Sequence, residues 1–262
     1  MTLVPDPPDL ILLDDEARPP WPVSTPRTAL DAVPWLAAVP SAAKDRLCGQ
    51  AMLHRLPAGS LLFEQAEVPA FAQLLVAGGV ALLAVRAGEE ALVELVRAPD
   101  LLLPAAVLNR QPYLLRARAL DEVQLVLIES KLFQAEVVAD RALCLAVLAC
   151  QAAQFRRQVK LAKNVRLRSA EERVGSYVLR LIEAAAPGAA VRLPMEKRLI
   201  AAELGMTRET LSRAMAGLTG HGLRVQGDRV LAEDLAAARA RFPLDPLIDA
   251  PEAIVPLGVA KG

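Results

Sequence analysis

Histidine is nearly absent from this chain, with two in 262 residues, His54 and His221. So few imidazoles, set far apart, cannot build the centre of several histidines and a carboxylate that a cupin-like enzyme needs, which argues against that class. Cysteine is almost as scarce: Cys48, Cys144 and Cys150 make no C-x-x-C pair and suggest no disulfide framework. Cys144 and Cys150 fall on one expected helix, too far apart to bridge at a rise of ~1.5 Å per residue, and are expected to be buried there rather than to act in redox chemistry. No apolar run approaches the ~18 residues of a membrane helix, the longest being residues 142–150. The acidic, proline-rich start shows no signal peptide, so a cytoplasmic protein with no membrane partner is expected.

Net charge is also missing, since 30 basic residues face 30 acidic ones. The balance hides an asymmetry, because residues 164–241 hold thirteen basic and nine acidic side chains while both flanking segments are slightly acidic. Within this basic region lies KRLIAAELGMTRETLSRAMAGLTG, residues 197–220. Leu199, Ile200 and Leu204 form one apolar stripe, with small Ala201 allowing a close helix crossing. Leu204-Gly205-Met206 is the turn. Thr207 is placed to cap a second helix whose stripe is Leu211, Ala214, Met215 and Leu218. Arg208, Glu209, Ser212 and Arg213 are left on the outer face, a hydrogen-bonding set suited to base edges in a major groove. A generic helical hairpin with a charged face is the plainer alternative, and the joint spacing of Ala201, Gly205 and Leu211 favours helix-turn-helix.

The remainder of the chain changes character several times. Residues 1–27 contain seven of the twenty prolines and no periodicity, and read as a disordered arm. A helical pattern broken at Pro34 and Pro40 follows. Short apolar runs then recur at residues 52–56, 61–63, 73–76, 80–85, 92–96, 101–103, 113–119 and 123–128, separated by turn residues, which predicts a β-sandwich, jelly roll or barrel. From residue 130 the pattern is helical again. Leu145, Leu148, Ala152, Phe155, Val159 and Ala162 alternate steps of three and four, as in the seam of a coiled coil, so this helix either packs on its own sandwich or pairs with a second copy. The steady seam favours a homodimer, whose two readers would engage half-sites ~34 Å apart. A helix over residues 168–186 and a short strand at 190–193 come next, and Pro194 is expected to open the first helix of the reader. Residues 223–231 form a hairpin with Gly227 in its turn, making the domain a winged helix. Residues 242–262 hold four prolines and are taken as a tail.

This order of parts resembles the Crp/Fnr family of bacterial transcription regulators over residues 28–241. The resemblance is carried by GMTRETLSR (residues 205–213), supported by AEERV (170–174) and by Gly59, Leu61 and Phe63. It implies an α+β fold. An N-terminal cyclic-nucleotide-binding-like jelly roll spans residues 28–136, a dimerisation helix 137–166 and a winged helix-turn-helix 167–241. Double-stranded DNA, a second copy of the chain and RNA polymerase are the implied partners. Arg208, Glu209, Ser212 and Arg213 become the base-reading residues, and Thr207, Lys197, Arg224 and Arg229 the phosphate contacts. Glu209-x-x-Ser212-Arg213 looks like the Fnr/Dnr/FixK side of the family, which implies a TTGAT-like palindrome.

The roll departs from its relatives. Nucleotide-binding members carry Gly-Glu and Arg-Ser pairs; here the aligned stretches are PDLLLPAA (residues 99–106) and YLLRA (113–117), with no glutamate and only Arg116-Ala117. Cyclic AMP or GMP is therefore not the expected effector. Three cysteines fall short of the four thiolates of a protein-held iron–sulfur cluster. Haem stays open, with Leu101, Leu102, Leu103, Leu114 and Leu115 as an apolar pocket and His54 as the candidate ligand; so does a redox signal, or no effector. A nucleotide-domain-like module controlling a protein partner is the competing function, and it would not need the reader at residues 208–213.

Overall fold

Residues 71–77, FAQLLVA, are apolar on both sides of a strand, a pattern that needs cover on each face. The computed structural model, which describes residues 23–186 and 188–255, shows both covers. The chain forms two compact units, and the described residues of one are 23–156 with 252–255, those of the other 157–186 with 188–251.

In the first unit, eight strands make two antiparallel sheets. They are β1 (Met52–Leu56), β2 (Leu61–Phe63), β3 (Phe71–Ala77), β4 (Gly79–Arg86), β5 (Glu89–Arg97), β6 (Asp100–Leu102), β7 (Arg116–Ala119) and β8 (Val123–Glu129). Their orders are β1-β8-β3-β6 and β2-β7-β4-β5, the two faces of a jelly roll. Leu75 of β3 and Leu125 of β8 join Phe63, Leu82 and Leu102 in the core between the sheets. Leu74, Val126 and Ile128, one residue out of phase, join a separate core with helical residues. Those helices are α1 (Pro26–Asp31), a 3-10 turn (Pro34–Leu36), α2 (Ser41–Cys48), and, beyond the short α3 (Pro104–Asn109), α4 (Ser130–Ala139) and the start of α5 (Arg141–Leu167). β3 and β8 are thus buried twice, which is why their runs show no alternation.

All eight expected strands are present, β1 and β2 with the expected ends and the other six with shifted ones. Leu103 leaves the strand for a left-handed conformation at φ 43° and begins α3, which the apolar run 101–103 does not announce. The long helix is interrupted: Asp140 is extended at φ −111°, ψ 114°, and its carboxylate accepts from the Leu143 amide at 2.9 Å to start α5. Cys144 is exposed, contrary to expectation, whereas Cys150 is buried. Of the expected arm, residues 1–22 lie outside the described residues, and Pro26 already sits at the start of α1 behind the Thr25 cap.

The second unit contains α6 (Ala170–Glu183), β9 (Val191–Arg192), α7 (Lys197–Glu203), α8 (Arg208–Gly217), a 3-10 turn (Leu218–His221), β10 (Leu223–Gln226), β11 (Arg229–Ala232), α9 (Leu235–Arg241) and α10 (Pro246–Asp249). The sheet order is β10-β11-β9, all antiparallel. Pro194 does not open α7. The Leu193 amide instead donates to the Asp228 carbonyl at 2.7 Å, holding the chain at the wing until Glu196. The tail also differs from its expectation, since Phe242 is fully buried in this core and α10 follows it. Among the described residues, no helix is long and apolar enough to cross a membrane.

Candidate nucleic-acid interface

The reader is built on α6. Its first turn is closed by a reciprocal cap, in which the Glu172 amide donates to Ser169 Oγ at 3.2 Å and the Ser169 amide to Glu172 Oε2 at 2.8 Å. Val174, Val178 and Leu179 of α6 are at most 1% exposed and share one apolar core with residues of α7 and α8. Ile200 and Ala201 of α7 and Leu204, which follows its last residue, are buried as expected, while Leu199 is only half-buried. Gly205 makes the turn at φ 63°, a conformation that costs other residues a steric penalty. Leu211, Ala214, Met215 and Leu218 are all buried beneath α8.

Thr207 caps α8, its Oγ1 accepting from the Thr210 amide at 3.2 Å. Arg208, Glu209, Ser212 and Arg213 are all exposed, so the four residues expected to read bases share the open side of one capped helix. Arg213 Nη2 donates to Thr210 Oγ1 at 3.4 Å, which steadies a long side chain in the absence of DNA. Thr210 belongs neither to the apolar stripe of α8 nor to its expected base-reading set, so its sequence position does not announce this contact. Glu209 stays ionised below the usual carboxylate range, because its own amide and then the Thr207 hydroxyl bond the carboxylate, with Arg208 and Arg213 adding to the effect. A charged acceptor and two fixed cations therefore stand together at physiological pH.

The flanking candidates divide. Arg229 is exposed on the wing and Lys197 is half-buried at the start of α7. Arg224 is engaged by Glu233 at 2.5 Å, so its expected phosphate contact competes with an existing partner. His221 does not face outward with the reader; its Nε2 lies 3.5 Å from Glu171 and its ring meets Phe242 edge-on at 5.7 Å between centroids.

Among the described residues, the five leucines expected to line an effector pocket are not brought together. Leu101 belongs to the core shared with the helices, Leu102 to the core between the sheets, and Leu114 is 83% exposed. Only Leu103 and Leu115 pack beside Leu102. Leu101 and Leu102 point to opposite faces of β6 and Leu103 has left the strand, so Leu101 is separated from the other two. Between the sheets, Phe63 and Tyr113 stack at 3.8 Å between centroids. His54 is exposed on β1, leaving that interior without an imidazole, and the residues do not fit a haem. Arg116 does not suit a nucleotide phosphate either. Ala117 and Ala119 are buried with the core, whereas Arg116 and Arg118 alternate outward and share Glu90, with Glu64 also bonded to Arg116 at 2.7 Å. One cavity, of about 20 Å³, lies on the helical side of the sheet and is lined by apolar residues that include Trp35, Leu74, Phe133 and Leu143.

The face of α5 follows the expected seam. Leu148, Ala152, Phe155, Val159 and Ala162 are exposed and Leu145 is half-buried, while Leu143, Ala146, Val147, Cys150 and Ala153 on the other side are buried. The helix therefore packs on its own sandwich and still leaves an apolar stripe uncovered.

Comparison with known proteins places this geometry. Residues 172–240 match the Crp-like helix-turn-helix domain. The sequence has no match among curated proteins. Among solved structures it is similar to a regulatory protein from Silicibacter pomeroyi DSS-3, at 26% identity and a TM-score of 0.52 over 84% of this chain and 99% of that one. FixK2 from Bradyrhizobium japonicum gives 20% identity and a TM-score of 0.58, covering 78% of this chain and 99% of that one. The c-di-GMP responsive global regulator CLP from Xanthomonas campestris gives 16% and 0.62, over 74% and 99%, a likeness of fold alone. With a Crp-like helix-turn-helix domain on α6 to α9 and a jelly roll and long helix ahead of it, the chain has the build of a DNA-binding transcription regulator of the Crp/Fnr type.

Proposed function

We propose that two copies of this chain pair along α5 and read a palindrome with TTGAT-like halves. The observation that carries the reading is the exposure of Arg208, Glu209, Ser212 and Arg213 on one face of a helix whose opposite face is fully committed to the core. Arg213 is suited to donate to guanine O6 and N7 while Glu209 accepts from cytosine N4 of the same pair. Thr207, Lys197 and Arg229 are suited to phosphates beside it. The uncovered stripe on α5, with Phe155 70% exposed, supports pairing, because a second copy would bury it. RNA polymerase is the protein partner this reading implies, and the cytoplasm its compartment.

Regulation in this reading does not require a cyclic nucleotide or haem. The Phe63–Tyr113 stack between the sheets, the engagement of Arg116 by Glu64 and Glu90 and the exposed His54 all support that. Any effector acts only as far as its affinity differs between two arrangements of the dimer.

Fluorescence anisotropy with a labelled TTGAT palindrome tests the proposal. Purified protein with nothing added binds it, and binding weakens steeply as salt rises. Equal affinity for a site with the G·C pair inverted overturns the assignment of Glu209 and Arg213. A Soret band that appears on adding haem overturns the haem-free reading.

A further inference from the structure

Between the last residue of α5, Leu167, and the first of α6, Ala170, stand only Arg168 and Ser169. Ser169 is occupied in the cap of α6. The Arg168 amide still donates to the Asn164 carbonyl at 3.3 Å and the Ser169 carbonyl accepts from the Arg173 amide at 3.0 Å, so only the torsions between these two residues lie outside a ladder, and the angle between the helices needs a restraint on them. Arg168 supplies one end of it. Its Nη1 donates to Asn164 Oδ1, one turn back on α5, at 3.3 Å, and its two terminal nitrogens donate to the two carboxylate oxygens of Asp249, each at 2.7 Å. The two side chains are only 11% and 12% exposed.

Asp249 belongs to neither helix. It ends α10, in the segment that follows the winged domain. Its carboxylate also accepts from the Asp245 amide at 2.7 Å, and its carbonyl accepts from Arg180 of α6 at 3.1 Å. On the α5 side, Lys160 donates to the Ala250 carbonyl at 2.8 Å and Lys163 to the Leu247 carbonyl at 3.4 Å. A single short element is therefore bonded to α5, to the junction and to α6. A forked guanidinium bond is directional, and holds only while both helices keep their places.

We propose that residues 245–250 clamp the α5–α6 junction, setting the angle at which the DNA-reading domain leaves α5 and, through it, the half-site spacing that the dimer accepts. The second half of this rests on the dimer reading above. With the clamp closed, each reader is held at one angle and one spacing is preferred; with it open, the readers swing and the preference flattens.

The experiment uses the full chain as wild type, Asp249→Asn, and the charge-swapped pair Arg168→Asp with Asp249→Arg. Hydrogen exchange is followed at the amides of residues 166–171 and across α8, and anisotropy is measured on TTGAT palindromes whose spacer varies one base pair at a time. Asp249→Asn is expected to speed exchange at the junction by about tenfold while α8 is unchanged, the scale of a lost charged hydrogen bond. The same variant flattens the spacing preference, and the swapped pair restores both. Unchanged junction exchange, or an α8 that speeds up equally, overturns the clamp, as does a wild-type spacing preference in Asp249→Asn. If wild type binds none of the palindromes, the dimer reading fails, and the exchange measurement still decides the clamp.

Discussion

The ring of Phe242 occupies the space where a side chain on Gly175 would begin: a Cβ built there falls 2.3 Å from the ring. Phe242 follows α9, is completely buried, and donates its amide to the Ala238 carbonyl at 2.8 Å. The glycine in the middle of α6 is thus the seat for an aromatic that closes the reader's core. Gly175→Ala raises intrinsic helix propensity by up to about 1 kcal/mol, but the clash is expected to outweigh it and destabilise the domain by about 1–3 kcal/mol. Chemical denaturation gives the sign, and a more stable variant would mean that the ring yields.

Arg213→Ala is expected to weaken binding to a TTGAT half-site by ~1–3 kcal/mol and to relax the choice of base at one pair. Lys197→Ala, by contrast, should weaken all sequences alike and lower the slope of affinity against salt by about 1. Titrations at several salt concentrations separate the two. A uniform loss for Arg213→Ala would assign that side chain to phosphate instead.

Phe155→Glu places a charge in the exposed stripe of α5. Because Phe155 is 70% exposed, the fold of the single chain should not change, and sedimentation should show monomers where wild type gives dimers. A drop in melting temperature measured on the monomer itself would place Phe155 in the chain's own core.

Burial acts to raise the Asp249 carboxyl, but the Arg168 guanidinium overcomes it and holds the group below the ordinary aspartate value. A depressed carboxylate adds stability that is present above its unfolded value and disappears as pH falls through the folded one. Wild type should therefore lose stability more steeply than Asp249→Asn below the usual aspartate range, and the two should run parallel at neutral pH. Parallel melting curves down into that acid range would show that the pair adds nothing.

Leu102→Ala opens a hole between the two sheets and is expected to cost about 2–5 kcal/mol. Leu114→Ser, in the loop before β7 and 83% exposed, should be close to neutral. Thermal melts of both variants test whether the leucines act as separate surfaces rather than one pocket wall.

The reader was largely legible in the chain because its signals are local. Gly205, the Thr207 cap and the stripe Leu211, Ala214, Met215 and Leu218 each act within a few residues, and the structure buries every member of that stripe. The pocket was not legible for the opposite reason. Whether Leu101 or Leu102 faces the space between the sheets depends on strand register, which pairing with β3 decides through Leu74 opposite Leu101 and Gln73 opposite Leu102. Arg116 is a similar case, since its outward position follows from alternation with Ala117 and its partners Glu64 and Glu90 come from distant strands.

The sequence by itself determined the order of elements and the apolar faces of the helices, because periodicity and caps are written into neighbouring residues. Tertiary structure alone decided that Arg168 meets Asp249 across 81 positions, that Phe242 seats on Gly175, and that α5 keeps one apolar face uncovered while burying the other. Those contacts join residues whose separation along the chain leaves no periodic trace, so only packing brings them together.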